Sequence, residues 1–543
     1  MEPSSPSTFL HLTVGAIVGL LLGAAIGLSL KNIALGIGLG LPFGAAIGAL
    51  LSWSRNNAWN AFIMCILSAA FYLLALPPSR LGFLAWIALV PLFLVAGHWP
   101  RRELYRLTLL WSLIVITGYS DAFFWQRSVV FIAIILAGIL AQGILVAELL
   151  LFSRQFPKWG WLIIPCLWTS GFFLVGSLLS LFPHPLPPTI PFVAISNSQY
   201  LYPAALQLLS LTGEPGLVFL IILVNSGIAD GIQHLPDIRS GWLPVVLSLA
   251  LAAVCITGGL LYLSQPSDRV TIGTALVPVG SYLELDPAVD ITRELAATLN
   301  DQPLHFPDGT SLAAIDLIAW DESPVGYLED EGTIEAIQQL AKDEEAYVIA
   351  DVFSSRAEGT SLNVALIIAP DGAIAAQNPK RVIPMIVEDN TPGERHRAPE
   401  TAATPWGTMT TLICYETFFP DLVRQIAGHD VDVFIVPAKP PGNTPRFTAL
   451  HLSQTIFRAV ENHVAIAFSY SSGTSALIDS YGRLIVHSPL PSILVQTEFA
   501  TAIIGPLHVG QGGTPYTRAG DAFVWGLTLV SAGLILVGIR RER

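Results

Sequence analysis

Charge is in short supply in this chain. Asp, Glu, Lys and Arg make up 12% of its 543 residues, while 52% are hydrophobic. Soluble domains carry roughly 25% charged residues, so a wholly soluble protein is excluded. Cysteine is equally sparse: Cys65, Cys166 and Cys255 lie inside apolar runs and only Cys414 lies in a polar region, so a disulfide framework is not indicated. The sequence has no HExxH and no paired-Cys pattern, so no metal site is expected, and no cofactor is called for. A large basic region is missing too. Residues 266–521 hold 14 Lys/Arg against 32 Asp/Glu, and the remainder holds 13 against 8. Phosphate backbones need a basic face, so nucleic acid is not an expected partner.

What the chain does have is long apolar runs. A bilayer core of roughly 30 Å takes about 20 residues of helix, and runs of that kind fall at 9–30, 33–53, 59–77, 82–98, 105–124, 128–152, 160–182, 216–235, 242–264 and 521–539. Placing the N-terminus inside puts Arg55, Arg101, Arg102, Arg106, Arg154, Lys158, Arg239, Arg540, Arg541 and Arg543 on the cytoplasmic side, against Lys31, Arg80 and Arg127 outside. That bias sets the orientation, and it leaves the acidic region outside the cytoplasm. Gly15, Gly19, Gly23 and Gly27, then Gly36, Gly40, Gly44 and Gly48, form ladders of four-residue spacing on the first two spans. Such ladders permit close helix approach, within a hairpin or across a dimer. Residues 183–215 are rich in proline and lack Lys and Arg. Irregular backbone at membrane depth must be buried in protein or line a cavity, so this segment is expected in the outer interface.

From residue 270 the pattern changes to short β-rich runs, at 270–278, 312–320, 346–354, 362–370, 408–415, 431–437, 463–471 and 474–481. These alternate with helical patterns near 286–300, 333–345, 419–429 and 448–462, which indicates a layered α/β domain. Reactive groups in such domains commonly sit just past strand ends, and Glu322, Lys380 and Cys414 do so. Taken singly, Glu322 reads as a solvated carboxylate, Lys380 with Arg381 as a surface basic pair, and Cys414 as a core residue. Taken together, they supply a thiol to attack, a carboxylate to accept its proton and an ammonium to hold an oxyanion.

Trp320-Asp321-Glu322, Lys380 and Cys414-Tyr415-Glu416 together resemble the Glu-Lys-Cys triad of the nitrilase superfamily. With Ser198-Gln199-Tyr200, Leu209-Ser210-Leu211-Thr212-Gly213 and Thr514-Pro515-Tyr516-Thr517-Arg518-Ala519-Gly520-Asp521, the whole is similar to the superfamily's membrane branch, the apolipoprotein N-acyltransferases. The resemblance implies an α-helical integral membrane domain joined to an α/β nitrilase-like αββα sandwich. Its divisions are an extra N-terminal hairpin at 1–53, a multi-span domain at 54–265, the catalytic domain at 266–520, and a last span with its tail at 521–543. It further implies Glu322 as base, Lys380 as oxyanion holder, Cys414 as nucleophile, and Glu388, Tyr415 and Glu416 in support. A phospholipid would be the acyl donor, a lipoprotein the acceptor, and the bacterial cytoplasmic membrane the location. The stretch Pro437-Ala438-Lys439-Pro440-Pro441-Gly442-Asn443 departs from the family's loop. A membrane-tethered amidase, transfer to another amine, and a non-catalytic scaffold remain alternatives.

Overall fold

The computed structural model describes residues 58–119, 129–180, 194–234, 238–264, 270–279, 285–301, 303–356, 359–383, 394–439, 444–490, 502–510 and 512–542. The two glycine-laddered spans and Glu388 lie outside the described residues. Among those described, five helices are long and apolar enough to cross a membrane: Ile132–Ser153, Gly160–Leu179, Glu214–Gln233, Trp242–Leu263 and Ala522–Arg541. Each coincides with an expected span. Two more expected spans are helical but less suited to crossing. Ala58–Ala75 reaches about 27 Å at the α-helical rise, and Arg101–Tyr119 opens on Arg101, Arg102, Glu103 and Arg106.

The stretch 82–98, expected as one span, is broken. A 3₁₀ turn, Gly82–Trp86, is followed by a short helix, Val90–Ala96, with Pro91 in its first turn. A break inside an apolar bundle strips backbone groups of partners and survives only where other protein groups replace them. Asn225, fully buried on the Glu214–Gln233 helix, does much of this: its Nδ2 donates to Ala85 O and its Oδ1 accepts from Leu89 N, both at 2.8 Å. Gln199 Nε2 donates to Gly82 O and Ser68 Oγ to Ala88 O, each at 2.8 Å. Gly82 lies so close to the 195–199 turn that a Cβ there would fall 1.9 Å from Ser198 O.

The polar half is a four-layer α-β-β-α stack. One sheet runs in the order β12-β1-β2-β3-β4-β5, comprising Ile503–Val509, Val270–Val277, Leu317–Trp320, Tyr347–Ser355, Ser361–Ile368 and Ile374–Pro379. The other runs β11-β10-β9-β8-β7-β6, comprising Leu484–His487, Ala476–Ile478, Ala465–Tyr470, Val433–Ala438, Gly407–Thr411 and Ala402–Thr404. Each has three parallel strands at its centre, β1-β2-β3 and β7-β8-β9. Parallel strands are covered on both faces and read as continuous apolar runs. In β8, Val433 and Ile435 enter the core between the sheets, while Phe434 and Val436 face the Pro420–Ala427 and Pro445–Asn462 helices. The first sheet's outer face is covered by Leu285–Asp301 and Glu331–Asp343.

The second sheet's outer face shares one uninterrupted apolar core with the membrane helices. Polar contacts stitch this seam. Asn197 Oδ1 accepts from Ser453 Oγ at 2.7 Å and Gln454 Nε2 at 2.8 Å, and Glu461 Oε1 accepts from Glu214 N at 3.1 Å. Gly213, at φ +67°, packs against the Tyr516 ring, where a Cβ would sit 2.5 Å from Cε2. Replacing Asn225 with Leu is expected to cost about 2–4 kcal/mol, because Leu89 N and Ala85 O lose their partners in apolar surroundings. Thermal unfolding in detergent measures it.

Candidate active site

The three residues singled out as a triad are together in the fold, on three strand ends. Glu322 follows β2, Lys380 follows β5, and Cys414 follows β7. Lys380 Nζ donates to Glu322 Oε1 at 2.5 Å, and Asn363 Nδ2 of β4 donates to the same oxygen at 3.2 Å. Glu322 Oε2 accepts from Lys439 N at 3.0 Å, and the carbonyl of Lys439 accepts from the Cys414 thiol at 3.5 Å. One residue of the departing loop therefore touches both the carboxylate and the thiol. Lys380 and Arg381 are each 1% exposed, so their reading as a surface pair does not hold. Glu322, at 5%, is not a solvated carboxylate either.

The thiol is presented by strained backbone. Cys414 has φ +49°, a left-handed conformation costly for a residue with a side chain and concentrated at functional sites. Glu416 holds the turn that follows: its Oε2 accepts from Ile413 N at 3.0 Å and its Oε1 from Arg381 N at 2.5 Å. With the Arg381 guanidinium 3.6 Å away, it ties the Cys414 turn to the residue after Lys380. Tyr415 packs its ring against Phe418 and Phe419.

Sequence patterns did not point to His451, which has no telling spacing to Cys414. It lies on the fully embedded face of Pro445–Asn462 and bonds Cys414 O at 3.0 Å and Thr417 Oγ1 at 3.1 Å through Nε2. Burial lowers its pKa to about 3, so the ring is neutral and Nε2–H donates to the carbonyl. It braces the strained residue and does not act as a base for the thiol. Asn363 was missed for a similar reason, since its role follows from strand register. Asp351 of β3, fully buried, has charged neighbours in Glu322 and Lys380. Burial and the Glu322 charge push the Cys414 thiol well above its ordinary range, while Lys380 pulls the other way. The resting site is thus a neutral thiol beside an ion pair, and that arrangement lets proton removal and attack occur together.

Residues 68–227 match the family described as apolipoprotein N-acyltransferase N-terminal domain, and residues 306–504 match carbon-nitrogen hydrolase. The apolipoprotein N-acyltransferase of Geobacter metallireducens is 25% identical over 524 residues, spanning 89% of this chain and 96% of that one. The chain is a homologue of the apolipoprotein N-acyltransferases. It is accordingly an acyltransferase with a carbon-nitrogen hydrolase region, and a multi-pass membrane protein. The Synechocystis apolipoprotein N-acyltransferase is 30% identical over 145 residues, 27% of this chain and 26% of that one. Among solved structures, Saccharomyces cerevisiae Nit3 of the nitrilase superfamily aligns with 45% of this chain and 92% of its own, at 18% identity and a TM-score of 0.34.

A neutral resting thiol sets the pH dependence of modification. Alkylation of Cys414 by iodoacetamide is expected to be slow at neutral pH and to keep rising with no plateau below about pH 9. Lys380→Ala, which removes the charge that lowers the pKa, is expected to slow it further. Mass spectrometry of the Cys414 peptide gives the rates.

Proposed function

We propose that this protein moves an acyl chain from a membrane phospholipid, through a thioester on Cys414, to the N-terminal amine of a lipoprotein's diacylglyceryl-cysteine. The observation that carries the reading is the Glu322 carboxylate, held between Lys380 and the backbone of Lys439 with the Cys414 thiol on the same backbone unit. In the first step Glu322 takes the thiol proton as sulfur attacks the ester carbonyl. Lys380 and backbone N–H groups near Cys414 hold the tetrahedral oxyanion. Collapse breaks the ester C–O bond, Glu322 returns its proton to the departing alkoxide, and a lysophospholipid leaves. In the second step the amine attacks the thioester carbonyl and gives its proton to Glu322. The C–S bond breaks, the thiolate recovers that proton, and an amide remains.

Glu416 and Tyr415 support the turn carrying the thiol, and Glu388 is assigned to orient Lys380. Both substrates are anchored in lipid, and exposing an acyl chain to water costs about 0.8 kcal/mol per CH₂, which favours a site opening sideways to the bilayer. The Lys/Arg asymmetry supports a bacterial cytoplasmic membrane location with residues 266–520 outside the cytoplasm as the catalytic domain. Segments 54–265 and 521–543 are assigned as its membrane part, and 1–53 lies outside the described residues.

Incubation of the purified protein with labelled phospholipid is expected to give a hydroxylamine-sensitive adduct that Cys414→Ala abolishes. Glu322→Gln is expected to slow its formation by about 10²–10⁴-fold, the usual worth of a general base. Mass spectrometry of a diacylglyceryl-cysteine peptide then reads the product. The absence of any adduct in the intact protein overturns the reading, and an adduct discharged by water alone replaces it with a hydrolase.

A further inference from the structure

Asp351 lies in the middle of β3, opposite Ala365 of β4. It alternates with Ala350 and Val352, which pack into the helix-covered layer, and shares its face with Ile349, which enters the core between the sheets. Its carboxyl is therefore turned toward the side on which the two sheets meet. It is fully buried, and neither of its oxygens has a hydrogen-bond partner. Among the described residues, the charged groups that act on it electrostatically lie past the surrounding strand ends: Asp321 and Glu322 after β2, Lys380 after β5, and Glu416 in the turn after β7. Asn363, on the neighbouring β4, donates to Glu322.

Three of those four groups are acidic, and Lys380 is held by Glu322 at 2.5 Å. An ionised carboxylate here would stand without hydrogen bonds among like charges, which is among the costliest placements a protein can hold. Burial first, and the Glu322 charge next, raise the Asp351 pKa well above the usual carboxylate range. The sign follows: the group is neutral through the ordinary range and ionises only as pH climbs.

We propose that Asp351 is a positioning residue that serves acyl transfer as a neutral carboxylic acid. Uncharged, it leaves Lys380 to Glu322; once ionised, it competes for Lys380 and opposes the negative charge developing on sulfur. The protein thus carries its own alkaline limit for acylation of Cys414. This part rests on the function proposed above.

Asp351→Asn keeps the shape and cannot ionise. Infrared difference spectra of full-length wild type minus Asp351→Asn in detergent, at neutral pH, are expected to show the carbonyl stretch of one protonated carboxylic acid, which fades at alkaline pH. In acylation by labelled phospholipid, the alkaline limb is expected to move up by about one pH unit or more in the variant, a gain of about tenfold at the wild-type edge. Asp351→Ser supplies a second uncharged reference for both readouts. A missing acid band, or alkaline limbs that coincide, overturns the proposal. The infrared band needs no turnover, so wild-type protein that shows it but takes up no acyl group refutes the proposed transfer and leaves the protonation of Asp351 standing.

Discussion

A carboxylate and an ammonium in contact, with almost no water around either, set the terms for everything near Cys414. The Glu322–Lys380 pair is nearly fully buried, and removing ions from water is costly unless their remaining hydrogen-bonding capacity is met. Asn363 and the Lys439 backbone meet it for Glu322. Low polarity then keeps the thiol protonated, since a separate thiolate would be a third charge. The same low polarity strengthens any donor aimed at an oxyanion. Stability and reactivity here draw on one arrangement of charges.

That arrangement requires three strand ends and a strained turn to stay in register. Glu416 links the turn to the end of β5, and His451 secures the Cys414 carbonyl from the opposite side. His451 belongs to a helix buried along nearly its whole length between the second sheet and the membrane bundle. Asn197 and Glu214, on the membrane side, hydrogen-bond to that same helix. Contacts with the bundle therefore reach Cys414 through one rigid element.

Much of this was legible in the sequence, and the failures share physical causes. Helices and central strands of the polar half were readable because strands covered on both faces are apolar throughout. Within the two large sheets, the strands not anticipated, β5, β6, β11 and β12, are the outermost ones. β6 and β11 have only 3 and 4 residues, β5 carries Gln377 and Asn378, and β12 is interrupted by Gly505 and Pro506, which an edge tolerates. The apolar stretch 82–98 read as one span because composition does not reveal a break repaired by Asn225 more than a hundred residues away. Glu322 and Cys414 were found because each ends an expected strand in a distinctive motif, and Lys380 because it follows a strand and a Pro-Asp-Gly turn, although β5, the strand it ends, was not expected. Asp351, Asn363 and His451 acquire meaning only from register and packing.

The polar half is flanked in sequence by two apolar helices, Ile238–Leu263 before it and Ala522–Glu542 after it. Both expose large apolar side chains, Val254 and Leu529 among them, as lipid-facing surfaces do. A body moored at both ends cannot tumble end over end or drift from the bilayer plane. On the function proposed above, encounter between Cys414 and a lipid-borne reactant becomes a two-dimensional search, governed by lateral diffusion and surface density instead of bulk concentration.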